Sequence, residues 1–160
     1  MTARPLCRPI SRRRVLQGAA TAALAVSFAR LLPEATAEEL PAIPALATFL
    51  AGRTPRSGRL RLELPPLADN GQAVPVRLTM AGPFTPESYV QAVHLFSERN
   101  PVPDMAVFEF PEPPDRVEID SRIRLAGSQR VVAVAVMSDG RLFAATAEVV
   151  VTIASCFDES

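Results

Sequence analysis

Gln129-Arg130-Val131-Val132-Ala133-Val134-Ala135-Val136-Met137 is almost wholly apolar. After Ser138-Asp139-Gly140 a second run follows: Arg141-Leu142-Phe143-Ala144-Ala145-Thr146-Ala147-Glu148-Val149-Val150-Val151-Thr152-Ile153. A short apolar run rich in valine suits a central strand covered on both faces. Asp-Gly between two such runs is a two-residue hairpin turn, because both residue types accept positive φ. The pair therefore predicts a β-hairpin at the heart of a sheet. Its second strand leads into Ala154-Ser155-Cys156-Phe157-Asp158-Glu159-Ser160.

Upstream the same grammar repeats. Leu60-Arg61-Leu62-Glu63-Leu64 alternates as a half-buried strand should, and Pro65 and Pro66 end it. Asp69-Asn70-Gly71 reads as a turn, and Val74 to Met80 as the next strand, with Val74, Val76, Leu78 and Met80 on one face. Tyr89 to Glu98 reads as a strand carrying Val90, Ala92, His94 and Phe96 on one side, although Pro86 and Glu87 could open a helix there. Met105 to Phe110 follows the rigid turn Asn100 to Pro103. From Arg116 to Leu125, apolar Val117, Ile119 and Ile123 alternate with Arg116, Glu118, Asp120, Arg122 and Arg124. Opposite charges on that wet face suit cross-strand pairing. Glu38 to Ala51 reads as a short helix with Glu38 and Glu39 at its N-terminus and Leu46, Phe49 and Leu50 on its apolar side, its regular part delayed by Pro41 and Pro44 to about two turns. Seven short strands with turns at regular spacing predict an all-β, immunoglobulin-like antiparallel β-sandwich preceded by a short N-terminal helix.

The totals agree with one domain of this kind. The chain has 160 residues, 48% of them hydrophobic, with 16 prolines and no tryptophan. All 17 basic residues are arginine, which reads as a compositional bias of the genome.

The N-terminus reads as an address. Ser11-Arg12-Arg13-Arg14-Val15-Leu16-Gln17 has the twin-arginine pattern, an apolar stretch runs from Gly18 to Leu32, and Ala35-Thr36-Ala37 offers a small-x-small cleavage site. The stretch is shorter than a membrane span and carries Arg30. The expected organisation is a twin-arginine signal peptide over 1–37, helix and linker over 38–58, a β-sandwich over 59–153, and a C-terminal arm over 154–160. The expected location is the periplasm, with no membrane attachment of the mature form. Cleavage after Ala37 leaves eleven arginines against sixteen acids, a net charge of −5 that disfavours nucleic acid and anionic membranes as partners.

Cleavage also removes Cys7, leaving Cys156 alone. One cysteine and one histidine, His94, cannot form a zinc or copper site of ordinary spacing, and no C-x-x-C pair, phosphate loop or nucleophile elbow is present. No cofactor, metal or catalytic residue is therefore assigned, and the chain is not read as an enzyme. His94 reads as a packed sheet histidine, and Met80, Met105 and Met137 as core. An unpaired cysteine in an oxidising compartment implies a reactive thiol, an intermolecular disulfide or burial. Asp158, Glu159 and the α-carboxylate close to Cys156 disfavour its thiolate and raise the thiol's pKa.

Taken as a set, several segments resemble the SoxY family of sulfur-oxidation carrier proteins. They are Asp69-Asn70-Gly71-Gln72-Ala73-Val74-Pro75-Val76, Val93-His94-Leu95-Phe96-Ser97-Glu98-Arg99-Asn100-Pro101, Arg122-Ile123-Arg124-Leu125-Ala126, Val132 to Gly140, and the single cysteine after Val150-Val151-Thr152-Ile153. The resemblance implies an immunoglobulin-like fold and a heterodimer with a SoxZ-like β-sandwich subunit. It also implies Cys156 as the covalent attachment site, loaded with thiosulfate by a c-type cytochrome and relieved of sulfate by further enzymes. Ala154, Ser155 and Phe157 would form the flexible arm around it. Where the best-known carriers have Gly-Gly-Cys-Gly-Gly, this chain has a stiffer, wider and more acidic arm. The competing expectations are a non-covalent β-sandwich adaptor that never uses the thiol, and a subunit held by an intermolecular disulfide.

Overall fold

A computed structural model of the chain describes residues 40–153. Helix α1 (Pro44–Leu50) is followed by β1 (Leu60–Glu63), β2 (Leu67–Asn70), β3 (Val74–Met80), β4 (Val90–Ser97), β5 (Asp104–Glu109), β6 (Val117–Ile123), β7 (Gln129–Met137) and β8 (Leu142–Ile153). The strands form two sheets, a three-stranded one in the order β1-β3-β6 and a five-stranded one in the order β2-β8-β7-β4-β5.

The β7–β8 hairpin lies at the centre of the larger sheet, pairing Val136 with Leu142 through to Gln129 with Val149. The hairpin closes through three residues and not the expected two. The Met137 N–H donates to the Arg141 carbonyl, and the Gly140 N–H to the Met137 carbonyl, each at 3.0 Å. Of Asp139 and Gly140 only Gly140 takes a positive φ, +82°. Apolar side chains from both sheets, among them Leu62, Leu78, Val93, Leu95, Val131 and Val149, meet in one core. On the outer face of the larger sheet, Ile43 and Leu46 close a second cluster over Phe96, Val132, Val134, Leu142 and Ala144. That cluster explains why β7 is apolar on both sides: one face meets the other sheet and the other meets α1.

Three further expectations need correction. The helix begins at Pro44 and not near Glu38; Pro44 occupies the first turn, where its missing N–H costs nothing, and Ile43 is the N-cap. Glu38 and Glu39 lie outside the described residues. Asp69 and Asn70 end an eighth strand, β2, instead of opening a turn, and β2 pairs with β8 in parallel while every other named pairing is antiparallel. The bend begins at Gly71, where the Gln72 N–H donates to the Asn70 side-chain oxygen at 3.1 Å. In β4, a register shift between Val90 and Ala92 turns Val90 into the inter-sheet core, away from the outer face that Phe96 shares with α1.

Other expectations hold. The wet face of β6 meets β3, where Arg77 grips Asp120 by two bonds of 2.6 and 3.1 Å. That bond holds the Asp120 carboxyl below its ordinary range. Met80 and Met137 are buried and Met105 packs against the core. The linker is less free than its composition suggests: Arg56 runs beside the start of β8, donating to the Leu142 carbonyl and accepting from Ala144, each at 2.9 Å.

Candidate functional site at the end of the last strand

The candidate site is the point where β8 delivers the chain to Cys156. β8 is the longest strand, and burial falls along it, from Leu142 and Phe143 in the interior to Ile153, 66% exposed, at its end. Successive bonds hold that end from both sides. From β2's side, the Val150 N–H donates to the Pro66 carbonyl at 3.0 Å, the Gly71 N–H donates to the Ile153 carbonyl at 2.9 Å, and the Thr152 hydroxyl donates to the Asp69 carbonyl. From the other side, the Val151 N–H donates to the Ser128 hydroxyl at 2.9 Å, which itself lies 3.3 Å from the Val151 carbonyl. The Gly71 carbonyl in turn accepts from the Leu125 N–H at 2.8 Å, linking the two sheets at this end.

Asn100 fastens the neighbouring loops. Its amide donates to the Arg124 carbonyl at 2.8 Å, while its oxygen accepts from the Ala126 N–H at 2.9 Å and from the buried Gln129 side chain at 3.0 Å. Beside it, Arg130 meets Glu98 at 3.0 Å, and that hydrogen bond holds the Glu98 carboxyl below its ordinary value. The last ladder residue is thus fixed to a rigid frame, and a rigid frame is what gives a short arm a defined reach.

Cys156, Ala154, Ser155 and Phe157 lie outside the described residues. His94 is described, and it belongs elsewhere. It packs under α1 with its ring 4.4 Å from that of Phe49 and 6.2 Å from that of Phe96. Burial lowers its pKa, against the opposing pull of Asp104 and Glu109. Its Nδ1 is buried without a hydrogen-bond partner. In register, His94 lies opposite Val134 and Val134 opposite Ala144. Ala144 is nine residues from Ile153, roughly 30 Å along a strand. Three residues of chain beyond Ile153 reach about 10 Å. His94 therefore lies far along the sheet from the end of β8.

Among the described residues no group of three or more His, Cys, Asp or Glu is placed to hold a metal, and no helix is long and apolar enough to cross a membrane. A concavity on the other sheet is lined by Glu63, Pro75, Arg77, Asp120 and Arg122, where Arg77 is already engaged by Asp120.

The residues that the sequence reading did not mark are the ones around β8's end. Leu67 and Val150, 57% and 48% exposed, stand side by side in the β2–β8 register. The strand-like run of β8 was visible, but nothing local identifies β2 as its neighbour.

Comparison with solved structures places the fold. The chain is similar to a superoxide reductase (neelaredoxin) from Ignicoccus hospitalis, with TM-score 0.50 and 18% identity over 59% of this chain and 80% of that one. A candidate superoxide reductase from Thermotoga maritima gives TM-score 0.52 and 14% identity over 61% of this chain and 93% of that one. At such identity the likeness is one of architecture alone. No curated protein matches the chain. The class defined here is a small all-β sandwich whose last strand runs into a cysteine-bearing end. The model of the family described as "Sulfur oxidation protein SoxY" matches residues 46–156, and the chain belongs to that family. It is a sulfur-oxidation carrier protein, and the matched segment ends on Cys156.

Proposed function

We propose that this chain is exported to the periplasm by the twin-arginine route and carries sulfur intermediates covalently on Cys156. The observation that carries the reading is that the family match extends to Cys156 and stops there, on the one cysteine left after signal cleavage. The bonds that hold Ile153 support it, because a fixed strand end lets a short arm present a thiol to more than one enzyme.

In the loading step the Cys156 thiol loses its proton and a sulfur–sulfur bond forms to the terminal sulfur of thiosulfate. Two electrons leave to a c-type cytochrome that catalyses the step. Water then cleaves the bond between the outer sulfur and the sulfonate, releasing sulfate and a proton and leaving a persulfide on Cys156. The acids after Cys156 oppose thiolate formation, so the partner enzyme must supply the positive charge that activates it. A SoxZ-like β-sandwich subunit completes the carrier as a heterodimer.

The test is genetic and chemical together. Cells carrying Cys156→Ser should export normal amounts of the protein and fail to oxidise thiosulfate. Undiminished oxidation by that strain would remove the thiol from the mechanism and leave a non-covalent adaptor.

A further inference from the structure

Resting on that reading, we infer that the exposed apolar pair Leu67 and Val150, on the outer face of the sheet beside the end of β8, is the docking surface for the enzyme that loads Cys156. The inference starts from tether length. Cys156 is three residues past Ile153, so a thiol inside an enzyme's active site stays within about 10 Å of chain from the end of β8. An enzyme body that near must cover the sandwich at this corner.

The corner is built to be covered. Leu67 and Val150 are among the most exposed large apolar side chains of the described residues, at 57 and 48%. Leu67 and Val150 are direct register partners, so they form one patch and not two scattered residues. Farther along the same sheet α1 covers Phe96, Val132, Leu142 and Ala144, and it does not extend over this corner. Exposed Asp69 and Glu148 border the patch, and Arg130, opposite Glu148 in the ladder, engages Glu98 at 3.0 Å. The mature chain is acidic and two more acids follow Cys156. The surface therefore fits a partner with an apolar centre and a basic rim. A patch this small suits a transient encounter. A permanent subunit seated here would block the enzymes that need the arm.

The surface is tested by loading kinetics. Purified mature protein is added, with thiosulfate, to extract from cells of the source organism lacking the chain, and the Cys156 adduct is followed by intact mass. Leu67→Asp/Val150→Asp should raise the carrier concentration at half-maximal rate about tenfold or more, with the maximal rate retained. Leu67→Gln/Val150→Thr, which keeps β-branching in β8, should raise it less and in the same direction. Loading of both variants at wild-type concentrations would overturn the surface and leave the carrier function intact. An unloaded wild-type chain would overturn both. Loss of the heterodimer in size-exclusion chromatography of the Asp variant would assign the patch to the permanent subunit and overturn the inference.

Discussion

Gly71 donates its N–H to the carbonyl of Ile153 at 2.9 Å, and its own carbonyl accepts from Leu125 at 2.8 Å. One buried glycine thus connects the last residue of β8 to the opposite sheet, three positions before Cys156. The position from which the arm starts is consequently a property of the sandwich, and its stability can be measured without touching the arm.

Thr152→Val should loosen that start. The substitution keeps the β-branched shape and removes the hydroxyl that donates to the Asp69 carbonyl. A loss of about 1 kcal/mol is expected. Amide exchange at Val150 and Gly71, whose N–H groups bond to Pro66 and Ile153, should accelerate while that of Val134 in the central strand stays unchanged. Exchange at Val150 and Gly71 unchanged by the substitution would show that the hydroxyl contributes nothing.

Asn100→Ala should be more costly than its loop position suggests. It removes the partner of the Arg124 carbonyl and the Ala126 N–H together with one of the two acceptors of the buried Gln129 side-chain amide, which keeps the Gly127 carbonyl. Unsatisfied buried groups cost about 1–3 kcal/mol each, so a total near 3 kcal/mol is expected in denaturant unfolding. A loss under about 0.5 kcal/mol, typical of surface substitutions, would contradict the network's role.

His94, the single histidine, should titrate below its ordinary value of 6.5, because burial beside Phe49 disfavours the charged ring. The sign follows from linkage. As pH falls through 6.5 the unfolded chain takes up the proton first, so the stability this site contributes is full above that value and declines below it toward the folded pKa. One imidazole resonance in an NMR titration reports the value directly. Phe49→Ala should move it back toward 6.5 and cost about 2 kcal/mol, since Phe49 is only partly buried. A value unchanged by that substitution would separate the ring contact from the shift.

These relationships divide into what the chain states locally and what it does not. The β7–β8 hairpin was legible because Asp139-Gly140 marks a tight turn between two apolar, valine-rich runs, although the loop takes in Ser138 as well. β2 was not, because Leu67-Ala68-Asn70 pair with Val150, Val151 and Ile153, more than eighty residues later, and a parallel partner at that separation leaves no local mark. Val90 was assigned to the wrong face because alternation cannot register the shift before Ala92. Cys156 stood out by elimination, as the cysteine left once the expected signal peptide is removed, and by family resemblance. The patch at Leu67 and Val150 did not, since exposure of an apolar pair depends on where α1 ends and which strand lies at the edge.

The most direct test is the mass of the carrier taken from cells oxidising thiosulfate. Intact protein, isolated under non-reducing conditions and then fragmented, should show a sulfur-containing adduct confined to the C-terminal peptide at Cys156 and released by reductant. Protein recovered from actively oxidising cells with Cys156 uniformly an unmodified thiol, or joined only to another protein by disulfide, would contradict the covalent-carrier account.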